Sequence, residues 1–143
     1  MKHIEKTTKR IIFALLLLTS TVACTSEDDI EEIFVDRTWT LTYIKEGATT
    51  RFTDGKRYSI IFSENAFTAT TPAGNTITGY WQANGDNRTF TCSNVRTNGN
   101  ISKDTIAQKM RDILVGSNKY EGDTNWLRIK QQENVYMLFG TAQ

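Results

Sequence analysis

The residues that most often carry out catalysis are sparse in this 143-residue sequence. The only histidine, His3, lies in an N-terminal segment whose first ten residues carry four Lys or Arg, followed by the apolar run Ile11–Leu18. This run is too short to span a bilayer as a helix, and the combination is typical of an export signal that is removed. We therefore exclude Ser-His-Asp and Cys-His catalysis and His-ligated metal sites from the mature protein.

Four carboxylates that could serve hydrolysis lie in predicted turns, namely Asp54, Asp86, Glu121 and Asp123. A glycoside hydrolase needs two carboxylates at a defined separation, and turn aspartates usually stabilise the turn itself. The loops around Asp86 and Asp123 lack the ligand spacing of known calcium loops, and no phosphate-binding glycine loop or dinucleotide fingerprint is present in the sequence. We expect neither enzymatic activity, nor a cofactor, nor a metal.

The first of the two cysteines closes the export signal. Small Ala23 precedes Cys24, which resembles the lipobox of bacterial lipoproteins, although Thr21 stands where that motif usually has Leu. The resemblance implies that the Cys24 thiol is lipidated and becomes the mature N-terminus. More than one acyl chain would give a stable membrane anchor. The alternative is plain secretion, with cleavage after Ala23 and a free Cys24 thiol.

An acidic stretch follows Cys24. Residues 25–29 (TSEDD) look like the signal that follows the cysteine in surface-displayed lipoproteins of Bacteroidetes, and Glu31 and Glu32 extend it. The alternative is a solvated acidic tether on a periplasm-facing protein of the outer membrane. We predict a signal peptide over 1–23, a flexible lipid-anchored tether over 24–34 and a folded domain over 35–143.

The charge balance changes once the signal is removed. Residues 1–23 carry four basic side chains and one acid, so the formal net charge falls from +1 to −2 in the remaining 120 residues. A mildly acidic protein has no electrostatic reason to bind nucleic acid, so we expect no such partner. The length suits one domain with a single core.

The rest of the chain alternates apolar and polar residues in short segments typical of β-strands. Seven such segments are predicted: Trp39–Tyr43, Arg57–Phe62, Ala66–Thr70, Thr76–Gln82, Thr89–Val95, Trp126–Lys130 and Val135–Phe139. Residues 45–55 are predicted to be a polar connection, and the Asn84-Gly85 pair favours a hairpin turn. Sequential hairpins imply an antiparallel sheet.

One segment has helical periodicity instead. In residues 104–115, Ile106, Met110, Ile113 and Leu114 fall on one face of an amphipathic helix. Ser102 or Asp104 can cap its start. The predicted fold class is therefore α+β, mainly β: a curved antiparallel sheet or open barrel of about seven strands packed on one α-helix.

The order of these segments resembles the META domain of bacterial envelope lipoproteins. The likeness covers roughly residues 38–139 and consists of the following pieces: Trp39 and Leu41 in an opening strand, Phe62, Gly74-Asn75, Gly79-Tyr80, Phe90 to Cys92 before the helix, then Tyr120 and Leu127-Arg128-Ile129. The family's first cysteine is absent, since Asn75 directly follows Gly74, so a disulfide to the position of Cys92 is lost. Trp39 after an acidic tether also looks like small lipocalin-like lipoproteins of Bacteroidetes.

The remaining cysteine and one threonine could be sites of chemical modification. If Cys24 is acylated, Cys92 has no thiol partner, and beside Phe90 in a strand it is expected to be an inert small hydrophobe instead of a reactive thiol. Asp104-Thr105-Ile106 resembles the O-glycosylation acceptor of exported Bacteroidetes proteins, which makes Thr105 a candidate. The alternative is that Asp104 and Thr105 only cap the helix.

Aromatic residues are the best candidates for binding. Most are expected to fill the core, but Tyr80 and Trp81 are adjacent in a strand and must point to opposite faces. One of them should face outward, so this pair is the predicted binding surface. Two functions follow: a non-catalytic envelope module that contacts an unknown protein or glycan through a sheet face, or a lipocalin-like binder of a small apolar ligand or glycan.

Overall fold

The computed structural model describes residues 28–141, so the predicted signal peptide, Cys24 and residues 25–27 of the predicted tether lie outside the described residues. Two helices and nine strands form within them. The helices are α1 (Ile30–Phe34) and α2 (Thr105–Gly116). The strands are β1 (Thr38–Glu46), β2 (Thr49–Phe52), β3 (Ser59–Phe62), β4 (Ala66–Thr70), β5 (Thr76–Asn84), β6 (Thr89–Asn98), β7 (Lys119–Gly122), β8 (Trp126–Gln132) and β9 (Val135–Thr141).

All strand pairs of the sheet are antiparallel, and the sheet curls until its ends meet. Strand β1 pairs with β9 on one edge, from Trp39 opposite Thr141 to Glu46 opposite Val135. Its other edge pairs first with β3 and then with β2. The ring is weakest between β6 and β7, which share a single residue pair, Thr89 with Lys119. The predicted curved antiparallel sheet is confirmed as a barrel-like ring.

Two strands were not predicted. Residues 45–55, expected to be a polar connection, contain the end of β1 and all of β2, joined by a tight turn at Gly47 with a positive φ of 59°. Strand β7 places Glu121 in the sheet, whereas the sequence pattern placed this carboxylate in a turn. Their sequences, TTRF and KYEG, each hold a single large apolar residue, so neither shows an apolar–polar alternation.

The start of the domain also differs from the prediction. We expected a flexible tether up to Phe34, but residues 30–34 form α1, and Ile33 and Phe34 are buried. Asp29 caps this helix by accepting a hydrogen bond from the Glu32 backbone N–H at 3.0 Å. A five-residue helix is not stable by itself. It forms here because Phe34 packs inside the ring, so the folded domain begins before residue 35.

The predicted helix is confirmed as α2. The Asp104 carboxylate caps it by accepting from the Ala107 N–H at 3.0 Å, and the Tyr58 hydroxyl donates to the same oxygen at 2.9 Å. Its buried face packs against β6, β8, β9 and β1, and so covers the weak junction of the ring. No helix within residues 28–141 is long and apolar enough to cross a membrane.

Candidate functional site

The interior of the ring is occupied by side chains. Four aromatic rings, one each from β3, β5, β6 and β7, surround Phe34 of α1, with ring centroids 4.9 to 5.5 Å from it. These rings belong to Phe62, Trp81, Phe90 and Tyr120. Trp39, Ile44, Leu127, Ile129 and Met137 are likewise buried along β1, β8 and β9. A ligand calyx of the lipocalin kind would need this space, so a binding site is expected on the outer surface.

The predicted pair on β5 does point to opposite faces. Trp81 is only 6% exposed, and its indole Nε1 donates to the Ser63 carbonyl at 2.8 Å. Tyr80 is 54% exposed on the outer face of the sheet. The alternation of the strand therefore separates the two residues. Trp81 belongs to the core, and Tyr80 is the one available to a partner.

Tyr80 lines an open groove of about 380 Å³ across the outer faces of β4, β5 and β6. We call it the Tyr80 groove. Its other lining residues are Ala66, Phe67, Thr68, Thr78, Gly79, Asn94 and Arg96. The lining combines two aromatic rings, three hydroxyls, an amide and one cation. Such a mixture can orient a polar ligand.

A second outer surface is richer in aromatic rings. We call it the aromatic strip, and it crosses four adjacent strands in the order Phe52 on β2, Tyr43 on β1, Tyr136 on β9, then Arg128 and Trp126 on β8. Phe52 and Trp126 are exposed. Neighbouring ring centroids are 5.9 Å apart between Phe52 and Tyr43 and 6.3 Å apart between Tyr43 and Tyr136.

Arg128 is the centre of this strip. Its guanidinium carbon lies 4.5 Å from the ring centroid of Tyr136 and 5.5 Å from that of Trp126, so both contacts are cation–π interactions. Its Nη1 also donates to the Glu121 carboxylate at 3.0 Å. The arginine therefore holds this end of the strip in place, because its contacts join strands β7, β8 and β9.

The Glu121 carboxylate also pairs with the buried ammonium group of Lys130. Lys130 is nearly buried, and its Nζ donates to Glu121 at 2.9 Å and to Glu133 at 2.8 Å. Hydrogen bonding with Lys130, with support from the charge of Arg128, lowers the pKa of Glu121 below its ordinary value of 4.5. Burial opposes the charged form of Lys130, but the hydrogen bonds with Glu133 and Glu121 outweigh it and raise the pKa.

Glu121 should therefore make the stability of the domain depend on pH in the acid range. Because its pKa is lower in the folded state, ionised Glu121 stabilises the fold above its unfolded value, and this contribution is lost as pH falls through the lowered pKa. Replacing Glu121 with Gln is expected to lower the free energy of unfolding at pH 7. The difference in free energy of unfolding between wild type and Glu121→Gln should become smaller as pH falls below about 4.5. Urea unfolding at several pH values measures this. The exposed Glu64→Gln variant is the control; a Glu121→Gln difference that stays constant with pH would contradict the argument.

The other three carboxylates lie in turns, and Asp123 stabilises its own turn. Asp123 accepts from the backbone N–H groups of Asn125 and Trp126 at 2.7 and 3.2 Å. Asp54 and Asp86 are exposed, and Asp54 adopts a left-handed φ of 53°. Within residues 28–141 no group of three or more His, Cys, Asp or Glu is placed to hold a metal ion.

Cys92 and Thr105, the other two candidates, differ in exposure. Burial raises the pKa of the Cys92 thiol to about 12, and a hydrogen bond with Ser117 only partly offsets this, so the thiol is neutral at physiological pH. That agrees with the expectation of an inert side chain. Thr105 is exposed in the first turn of α2, while Asp104 beside it is engaged as the cap. Thr105 stays a prediction as a glycosylation site.

Comparison with known proteins places the chain in a family. A model of a domain of unknown function, DUF4847, matches residues 45–141. The chain belongs to the DUF4847 family. This DUF4847 chain is also similar to the crystal structure of a DUF4847 family protein from Bacteroides vulgatus ATCC 8482 at 1.00 Å resolution, with a TM-score of 0.62 and 21% identity over 78% of this chain and 96% of that chain. At that identity the likeness shows a shared fold. No curated protein matches the sequence.

Proposed function

We propose that this DUF4847 domain is a non-catalytic interaction module of the bacterial envelope, anchored to the outer membrane through lipidated Cys24 and displayed at the cell surface. The observation that carries the proposal is the aromatic strip on the outside of a ring whose interior is filled. Contiguous aromatic residues with a central arginine are the composition most enriched at the energetic centres of protein interfaces. The partner in this proposal is a protein or glycan that contacts the strip.

In this proposal the lipid anchor at Cys24 also keeps the domain, and so its partner, near the membrane. Asp28 is fixed to the domain because its carboxylate accepts from Arg88 Nε and from the Tyr120 hydroxyl, both at 3.0 Å. An extended chain advances at most about 3.3 to 3.6 Å per residue, so four residues from Cys24 to Asp28 reach at most about 14 Å. In this proposal the domain stays close to the lipid surface, and its partner is found there.

We also propose that the likeness to the META domain and to lipocalin-like lipoproteins reflects a common architecture. The support is the placement of α2 ahead of the final hairpin β8–β9 on a curved antiparallel sheet. The proposal does not extend to a ligand calyx, since Phe34 and its neighbours occupy the interior.

Photo-crosslinking in intact cells tests the interaction surface. A photoreactive phenylalanine analogue at Phe52 is expected to give a discrete adduct, because this side chain is 62% exposed at one end of the strip. The same analogue at Val115, an equally exposed residue on α2, should not give it. Adding Tyr136→Ala should weaken the adduct at Phe52, and Cys24→Ala should release the protein from the membrane fraction.

The controls separate the two parts of the proposal. Identical adducts from Phe52 and Val115, or an adduct insensitive to Tyr136→Ala, would mean that the strip is not the contact surface. Retention of the Cys24→Ala variant in the membrane fraction would contradict the lipid anchor and leave the strip to be judged separately.

A further inference from the structure

The Tyr80 groove lies where the regular pairing of the sheet is interrupted. The register of β5 against β6 shifts between Thr78 and Tyr80, and Asn94 on the facing strand adopts a left-handed φ of 50°. A bulge of this kind turns side chains away from their regular directions, and left-handed backbone at a non-glycine residue is unfavourable. The sheet thus keeps a local irregularity where Tyr80, Asn94 and Arg96 converge.

Gly79 lets the Phe67 ring pack directly against β5 at the floor of the groove. A Cβ at this position would lie 2.8 Å from Cε1 of Phe67 and 2.9 Å from the Ser93 carbonyl oxygen, closer than packing allows. The Phe67 ring therefore fills the space below Gly79 and forms an apolar floor.

The charge of the groove selects for an anion. Arg96 is exposed and forms no ion pair with a carboxylate of residues 28–141, unlike Arg51, Arg88, Arg111 and Arg128. None of the residues that line the groove is acidic. A guanidinium presents a planar fork that matches a carboxylate with two parallel hydrogen bonds. The groove therefore offers a partner for a carboxylate.

The uncharged residues of the lining suit a ligand ring that carries hydroxyl groups. The Tyr80 ring is accessible for stacking, and the hydroxyls of Thr68 and Thr78 and the amide of Asn94 can both donate and accept. We propose that the Tyr80 groove binds a carboxylate-bearing saccharide, with Arg96 pairing with the carboxylate and Tyr80 stacking on the sugar ring. This site lies on different strands from the aromatic strip and does not depend on it.

Calorimetric titration of the full chain in nonionic detergent tests the proposal. The probes are trigalacturonic acid and its methyl ester, which keeps the sugar rings and loses the charge. Trigalacturonic acid is expected to bind, and Arg96→Gln should weaken it by about tenfold or more, since a charge-assisted hydrogen bond pair is lost. Tyr80→Ala should weaken both probes. Arg57→Gln, an exposed arginine outside the groove, should leave binding unchanged.

Two further comparisons decide between ligand classes. To wild type, the methyl ester should bind more weakly than the acid. To the Arg96→Gln variant, the ester and the acid should bind with equal affinity. Thermal unfolding checks that each variant is folded. Equal binding of the acid to wild type and Arg96→Gln would overturn the site. Binding of tetraglutamate as tight as that of trigalacturonic acid, and equally sensitive to Arg96→Gln, would overturn the saccharide assignment in favour of an acidic peptide.

Discussion

Replacing Phe34 with alanine is expected to lower the free energy of unfolding by about 3 to 5 kcal/mol, the range for a buried phenylalanine. Phe34 has no exposed surface. Its ring stacks on Trp81 at 4.9 Å and on Phe90 at 5.5 Å, and it meets Phe62 and Tyr120 edge-on at 5.2 and 5.1 Å. Its removal leaves a cavity bounded by four rigid rings, which cannot collapse easily.

Urea unfolding followed by tryptophan fluorescence measures this effect, because Trp81 reports directly on the cavity. The matched control is Glu31→Ala on the exposed side of the same helix, for which a change within about 0.5 kcal/mol is expected. If Phe34→Ala were no more destabilised than Glu31→Ala, α1 would not be part of the fold, and the expectation of a flexible tether up to Phe34 would be restored.

The role of Phe34 shows why the tether prediction failed. In the sequence, residues 27–32 are five acids and one isoleucine, a composition that is usually solvated. The same acids also favour a helix start, because Asp29 caps the first turn and Glu31 and Glu32 lie at the positive end of the helix dipole. Local sequence cannot decide between these outcomes. The decision depends on an aromatic cavity supplied by residues 28 to 86 positions away along the chain.

Strand prediction succeeded where large apolar residues alternate. Residues 66–70 were predicted with the bounds that β4 has, because Phe67 and Ala69 point inward and Thr68 and Thr70 outward. Strand β2 has the sequence TTRF, in which the one large apolar residue is exposed. It exists because β1 extends past β3 and leaves an edge for it to pair with, which is a property of the whole sheet.

The candidate surfaces divide in the same way. Strand alternation alone predicted that Tyr80 and Trp81 take opposite faces, and the structure shows that Tyr80 is the outer one. The aromatic strip could not be predicted from the sequence, because it brings together Phe52 and Trp126, which are 74 positions apart. They share one surface only through the pairing of β2, β1, β9 and β8. The one signal in the sequence was the spacing of Trp126, Arg128 and Lys130, which places all three on one side of a strand.

Replacing Met110 with alanine is expected to destabilise the domain by about 2 to 5 kcal/mol. Met110 lies on the buried face of α2 together with Ala107, Ile113 and Leu114, and this face covers the junction where β6 and β7 share one residue pair. A cavity there removes packing at the junction with the fewest ladder hydrogen bonds. Val115→Ala on the exposed side of α2 is the matched control, with an expected change within about 0.5 kcal/mol. Chemical unfolding measures both variants. A loss below about 1 kcal/mol for Met110→Ala would mean that α2 does not hold the ring closed, and the barrel would then depend on its strand pairs alone.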